Sequence, residues 1–93
     1  MKMNIKRVTL SGSVTKVEFD NLCRKWLVKN TTDSDIFVSF DENFKEDEAV
    51  KIASNFGQNV YVNDEPVFRD TCYTRAIYIK GTGEVEVQQI CYK

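Results

Sequence analysis

"AIYIKGTGEVEVQQI", residues 76–90, decides how this chain is read. Ile77, Ile79, Val85 and Val87 alternate with polar residues on both sides of Gly81–Thr82–Gly83. Such period-two alternation marks half-buried β-structure. The glycines then raise one question: do they cradle a phosphate or punctuate strands? A phosphate loop needs GxxxxGK[ST] between a strand and a helix. Here Lys80 precedes the glycines, a strand follows, and the downstream residues are acidic. A three-residue turn at 81–83 instead pairs Lys80 with Glu84, Ile79 with Val85, Tyr78 with Glu86 and Ile77 with Val87. Each pair agrees in character, so the stretch reads as a β-hairpin with Gly83 at positive φ. The parity fails further out, where Arg75 and Gln89 fall on the apolar face and Ile90 on the polar one. A β-bulge or the end of the buried sheet accounts for that break.

The same alternation runs along the rest of the chain. It groups Val17 with Phe19, Trp26 with Val28, Ile36 with Val38 and Phe40, Val50 with Ile52, and Val60 with Val62. Polar and glycine clusters separate these runs: "SGS" at 11–13, "NTTDSD" at 30–35, "SNFG" at 54–57, "NDEP" at 63–66 and "GTG" at 81–83. All are turn signals. The first half of "ENFKEDEAVKIA" can form one helical turn before Val50 and Ile52 resume a strand. Pro66 belongs to a turn or an edge, where its missing N–H costs nothing. The expected fold is all-β: a single domain over residues 1–93, a compact antiparallel β-sandwich of jelly-roll type with about seven to nine short strands.

Composition narrows the chemistry. At 93 residues the core is small, so oligomerisation, a disulfide or a metal would add to its stability. No residue is histidine, which removes the commonest general base and metal ligand near neutral pH. Ser–His–Asp and Cys–His catalysis are therefore excluded. Cys23, Cys72 and Cys91 are widely spaced and read as small reduced side chains, with a Cys72–Cys91 bridge as the alternative. The "MKMNIKRVTL" start has no apolar h-region, so no secretory signal is expected, and no run is long enough to span a membrane. The first 30 residues are basic and residues 31–70 acidic, a separation that suits head-to-tail assembly unless interleaved strands mix the charges.

Three constellations call for function. The acidic run 41–48, "DENFKEDE", starts like a calcium loop, but Lys45 takes a ligand position and no glycine follows. It reads as a solvated acidic loop, with an irregular cation site or a contact with a basic partner as the alternatives; Phe44, an apolar side chain among charges, is either a contact anchor or a cap on the core. The carboxylates single out no glycosidase-like pair. Phe37, Tyr61, Tyr73 and Tyr78 fall opposite the core residues or are ambiguous; most aromatics of a two-layer sandwich are core, and the alternative is a sugar-stacking or protein-binding surface. No basic, aromatic-interleaved stretch points to nucleic acid.

Taken together, "WLVKNTTDSDIFVSFDENFKEDEAVKIASNFGQNVYVN" and "AIYIKGTGEVEVQQI" resemble small β-rich proteins encoded among the virion genes of tailed bacteriophages and prophages. In these a "VKN" strand leads to a polar turn and "D-I-[FY]-V-S-F-D", and the chain ends in "I-Y-[IV]-K-G-[TS]-G" and "V-E-V". The resemblance covers roughly residues 14–90, and "ASNFG" at 53–57 departs from the small-residue turn of that pattern. It implies a structural role as a head-decoration, fibre or tail-accessory protein, located in the virion and assembled in the bacterial cytoplasm. The expectation is thus a non-enzymatic assembly protein with no cofactor or metal. Its contact residues would be Asp41, Glu42, Phe44, Glu46, Asp47, Phe37, Tyr61 and Tyr78. Its partners would be other virion proteins or copies of itself, without nucleic acid or membrane. A carbohydrate- or host-surface-binding module is the alternative.

Overall fold

The computed structural model describes residues 3–61 and 74–90, with side chains for 4–59 and 74–90. Six strands form one antiparallel sheet: β1 (Met3–Cys23), β2 (Lys25–Asn30), β3 (Ile36–Ser39), β4 (Val50–Ile52), β5 (Gly57–Tyr61) and β6 (Thr74–Ile90). Its order is β4-β3-β6-β2-β5, with β1 along the other side of β6. A single 3-10 turn, Glu46–Glu48, precedes β4, where the sequence placed a helical turn. The turns at 30–35 and 54–57 also stand as read. Val60 and Val62 as core residues, the "NDEP" turn, Pro66, Tyr73 and the Cys72–Cys91 bridge lie outside the described residues.

The expected hairpin is replaced by something longer. β6 runs unbroken through Gly81–Thr82–Gly83, and its partner is β1 rather than itself. Ile79 lies opposite Thr15 and Val85 opposite Val8. Both readings satisfy the alternation, because a three-residue interruption preserves parity whether the chain turns back or continues. "SGS" and "GTG", both expected as reversals, face each other across this ladder. Ser11 pairs with Thr82 and Val14 with Lys80, so Gly12 and Ser13 together oppose Gly81. That two-against-one bulge bends both strands. Gly12 and Gly83 have φ of +99° and +102°, a region that L side chains resist.

The bend folds the ladder into two arms. In one, β1 from Met3 to Ser11 and β6 from Thr82 to Ile90 are extended by β2 and β5. In the other, β1 from Val14 onward and β6 from Thr74 to Lys80 are extended by β3 and β4. Cys23 shows how far they close. It pairs with Thr74 at one end of β6, while its Sγ lies 3.4 Å from the carbonyl oxygen of Ile90 at the other. Lys6 of the first arm donates to the Glu18 carbonyl of the second, and Gln89 Nε2 donates to Asn21 O at 2.8 Å. The sheet is therefore nearly closed into a barrel. Seven to nine short strands are expected and six are seen among the described residues, because β6 runs through "GTG" where the glycines signal a turn between two strands, and β1 likewise runs through "SGS".

The inward faces are those that the alternation marks. Trp26, Val28, Ile36, Val38, Ile77, Ile79, Val85 and Val87 are fully buried, with Val17, Phe19 and Ile52 nearly so. Phe40 and Val50 pack on this core from its margin. The indole of Trp26 meets Phe19 edge-on at 5.4 Å and Phe40 at 6.1 Å, joining residues from different arms. The parity break also has its cause. β1 bulges widely between Glu18 and Cys23, opposite Ala76 and Thr74, and this turns Arg75 outward to donate to Asp20 O at 3.2 Å. Gln89 stays inward and fully buried, with its amide bonded to Asn4 and Asn21.

A polar plug closes the β2–β3 end. Asn30 is 1% exposed. Its Nδ2 donates to Ser34 O (2.8 Å) and Ile52 O (3.0 Å), and its Oδ1 accepts from Thr32 N (2.9 Å) and Thr32 Oγ1 (2.6 Å). Ser54 Oγ adds a 2.6 Å bond to Thr32 O, tying in the β4–β5 turn. The plug presses on the bend: a Cβ at Gly83 would lie 2.7 Å from Thr32 Cγ2, and one at Gly81 2.8 Å from Ile36 Cγ2.

Candidate functional site

Side chains directly opposite each other in an antiparallel ladder share one face. On the outer face of the β3–β4 arm this sets Val14, Lys80, Phe37 and Lys51 in one row, and Lys16, Tyr78 and Ser39 in the next. Phe37 and Tyr78 are diagonal neighbours, both half-buried, because Val38 and Ile79 between them take the inward positions. Two of the expected contact residues thus meet on one rigid surface.

A third joins them. Glu46 Oε1 lies 3.1 Å from Lys80 Nζ and fastens the acidic loop 41–48 to this face. The loop has a defined shape: Asp41 N donates to Ser39 Oγ (3.0 Å), Asn43 N to Asp41 Oδ1 (2.9 Å) and Phe44 N to Asp41 O (3.0 Å). Phe44 takes φ +39° and is half-buried. Asp41, Glu42, Glu46 and Asp47 are exposed. One Asp41 oxygen is engaged by its own loop. Among the described residues, no three acidic or cysteine side chains gather as metal ligands.

Tyr61 belongs elsewhere. Its backbone lies on β5 opposite Lys25, in the other arm, and its side chain is outside the described residues. Cys23 is buried and free, its Sγ pointing at the carbonyls of Lys25 and Ile90. Lys6, Lys16, Glu18, Phe19, Asp20 and Arg75 line an open polar depression beside the β1 bulge. Its cations are already engaged: Lys6 with Glu18 O, Lys16 with the Glu18 carboxylate at 3.8 Å, and Arg75 with Asp20 O. No protein-family model, curated protein or solved structure matches the chain. The site therefore rests on its own geometry.

That geometry includes residues the alternation missed. Phe56, in the turn before β5, is 66% exposed, the most exposed large apolar residue described. Its carbonyl accepts from Asn30 N at 2.8 Å, next to the Lys29–Gly57 pair. On the outer face of the β2–β5 arm, Arg7, Glu86 and Lys29 lie in one row, with Glu86 3.4 Å from Arg7 and 3.7 Å from Lys29. Ile5, Gln88 and Leu27 form the adjoining row, and Ile5 is 47% exposed. Period-two parity has no meaning within a turn, which hid Phe56. The only signal was an aromatic side chain within a polar, glycine-bounded tetrapeptide.

Proposed function

We propose that this chain is a non-enzymatic structural or assembly protein of a phage or prophage particle, acting through protein–protein contacts. The observation that carries the contact role is the outward pairing of Phe37 and Tyr78 on hydrogen-bonded strands, bordered by lysines and the acidic loop. Aromatics held rigidly at the centre of a charged rim are the usual anchors of protein interfaces, since little rotamer freedom remains to be lost on binding. The particle setting rests on the sequence resemblance. We also read the two arms as the layers of a sandwich-like module whose outer faces meet neighbours.

Light scattering over a concentration series, run alongside a glycan array, tests the contact role. Concentration-dependent association that Phe37→Ala/Tyr78→Ala reduces at unchanged melting temperature is the expected result. Saturable binding to one glycan class, lost in the same variant while the chain stays monomeric, would overturn it in favour of a carbohydrate-binding module.

A further inference from the structure

We infer that the open seam of the barrel binds a small acidic sugar, with its acid group on Lys6 and Arg75 and its hydroxyls on Glu18 and Asp20. This site is separate from the Phe37–Tyr78 face and does not rest on the contact role proposed above. The seam lies where the two halves of β1 come together, bridged by Lys6 of one half reaching Glu18 and Phe19 of the other. β1 bulges widely at this point, between Glu18 and Cys23. Bulges recur at barrel rims and beside active sites. A depression of about 560 Å³ opens here, lined by Lys6, Lys16, Glu18, Phe19, Asp20 and Arg75. Small-molecule pockets run from about 300 to 1,000 Å³, so the volume suits such a ligand.

Two of the cations are oriented without being neutralised. Lys6 lies opposite the fully buried Val87, so its strand parity points inward. Its ammonium reaches water through the seam, passing over the Phe19 ring at 5.1 Å and donating to Glu18 O. Arg75, turned outward by the bulge, donates from Nε to Asp20 O. A carbonyl carries no net charge, so both bonds fix a cation and leave its charge to a ligand. The Nη edge of the guanidinium matches the fork of a carboxylate or phosphate. Lys16 meets the Glu18 carboxylate at 3.8 Å, with both side chains more than half exposed. Such a surface pair is worth little, so either group can turn to a ligand. Three cations against the carboxylates of Glu18 and Asp20 leave the lining one positive charge in excess. The matching ligand therefore carries an acid group for the cations, with hydroxyls beside it for the carboxylates, which only accept hydrogen bonds. Phe19 is 6% exposed and offers no ring for stacking, so charge and hydrogen bonds carry the recognition.

Calorimetric titration of the full-length chain with glucuronate, glucose phosphate, glucose and inorganic phosphate tests this. Glucuronate or glucose phosphate should bind saturably, and the tighter of the two identifies the acid group. Glucose and inorganic phosphate, each lacking half of the chemistry, should bind roughly tenfold more weakly or worse. Lys6→Gln and Arg75→Gln should each weaken the acidic sugar roughly tenfold, the loss of one charge-assisted hydrogen bond. Lys16→Gln, on the exposed face, reads the same site if either variant lowers the melting temperature. Without any variant, the amide resonances of residues 18–21 should shift as the sugar is added, and those of loop 41–48 should not. Four results would overturn the inference: no saturable binding of either acidic sugar, glucose or inorganic phosphate binding as tightly, well-folded Lys6 and Arg75 variants that bind like wild type, or shifts confined to residues outside the seam. Sugar binding kept in Phe37→Ala/Tyr78→Ala supports the seam, whether or not that variant still self-associates. Binding lost in that variant would move the sugar to the Phe37–Tyr78 face, removing this site and the contact role together.

Discussion

At the scale of single residues, the bend depends on two glycines that differ in their surroundings. Gly12 and Gly83 share a positive φ, but a Cβ at Gly12 meets nothing closer than Thr82 Cγ2 at 3.7 Å. At Gly83 it meets Thr32 Cγ2 at 2.7 Å and Thr32 Cβ at 2.9 Å, and Thr32 is buried in the polar plug. Gly12→Ala should therefore cost the backbone strain alone, about 1–2 kcal/mol. Gly83→Ala should cost at least ~1 kcal/mol more, as the overlap adds to the strain. Urea denaturation of both variants measures the difference, and equal losses would mean that the plug does not press on the bend. Asn30 makes the second case. Asn30→Asp keeps the acceptor for Thr32 but removes the donors to Ser34 O and Ile52 O. With carboxylate oxygens set against buried carbonyls, about 2 kcal/mol or more should be lost, whereas a Ser34→Ala control should change little.

At the scale of elements, the decisive fact is which strand β6 pairs with. Thr9 lies opposite Glu84, and both are exposed. Opposed residues of an antiparallel pair lie within disulfide reach. Thr9→Cys/Glu84→Cys should therefore cross-link on oxidation, with the bridge located by proteolysis and mass spectrometry. Lys80→Cys/Glu84→Cys, the pair that a hairpin would bring together, should not. A bridge in the second and none in the first would reinstate the hairpin. The contrast also shows what was legible in the sequence. Alternation correctly assigned Trp26 and Val28, Ile36 and Val38, Ile77 and Ile79, and Val85 and Val87 to the interior. The hairpin turn expected at 81–83 also placed a positive φ at Gly83, and the bend has one there although the hairpin pairing is absent. Alternation specifies a face, however, and not a neighbour, so it was blind to a partner more than seventy residues away, as with Glu84 and Thr9. The candidate site divides the same way. Phe37, Tyr78 and the acidic loop were legible from parity and charge. The Lys80–Glu46 bond that unites them, the placement of Tyr61 on the other arm, and the exposure of Phe56 all depend on tertiary neighbours.

At the scale of the whole molecule, β1 opens the described chain and β6 closes it, so the central ladder joins residues such as Met3 and Ile90. Long-range pairing must close a large loop before it gains contacts, and this slows folding. Refolding should take milliseconds to seconds, in the range of all-β domains rather than the microseconds of helical bundles. Trp26 is the sole tryptophan, fully buried, with Phe19 of β1 edge-on to its ring and its Nε1 donating to Cys23 O at 3.2 Å. Its fluorescence therefore reports the moment at which the arms close over β2. Far-UV circular dichroism reports strand formation along each arm. Because neither arm buries its inward residues until the other covers it, the two signals should relax together with one rate constant. A fast dichroism phase followed by a slower tryptophan phase would instead mean that the β1–β6 ladder forms first and folds at Gly12 and Gly83 afterwards. In that event Gly83→Ala should slow only the second phase, and stopped-flow traces of that variant would show it directly.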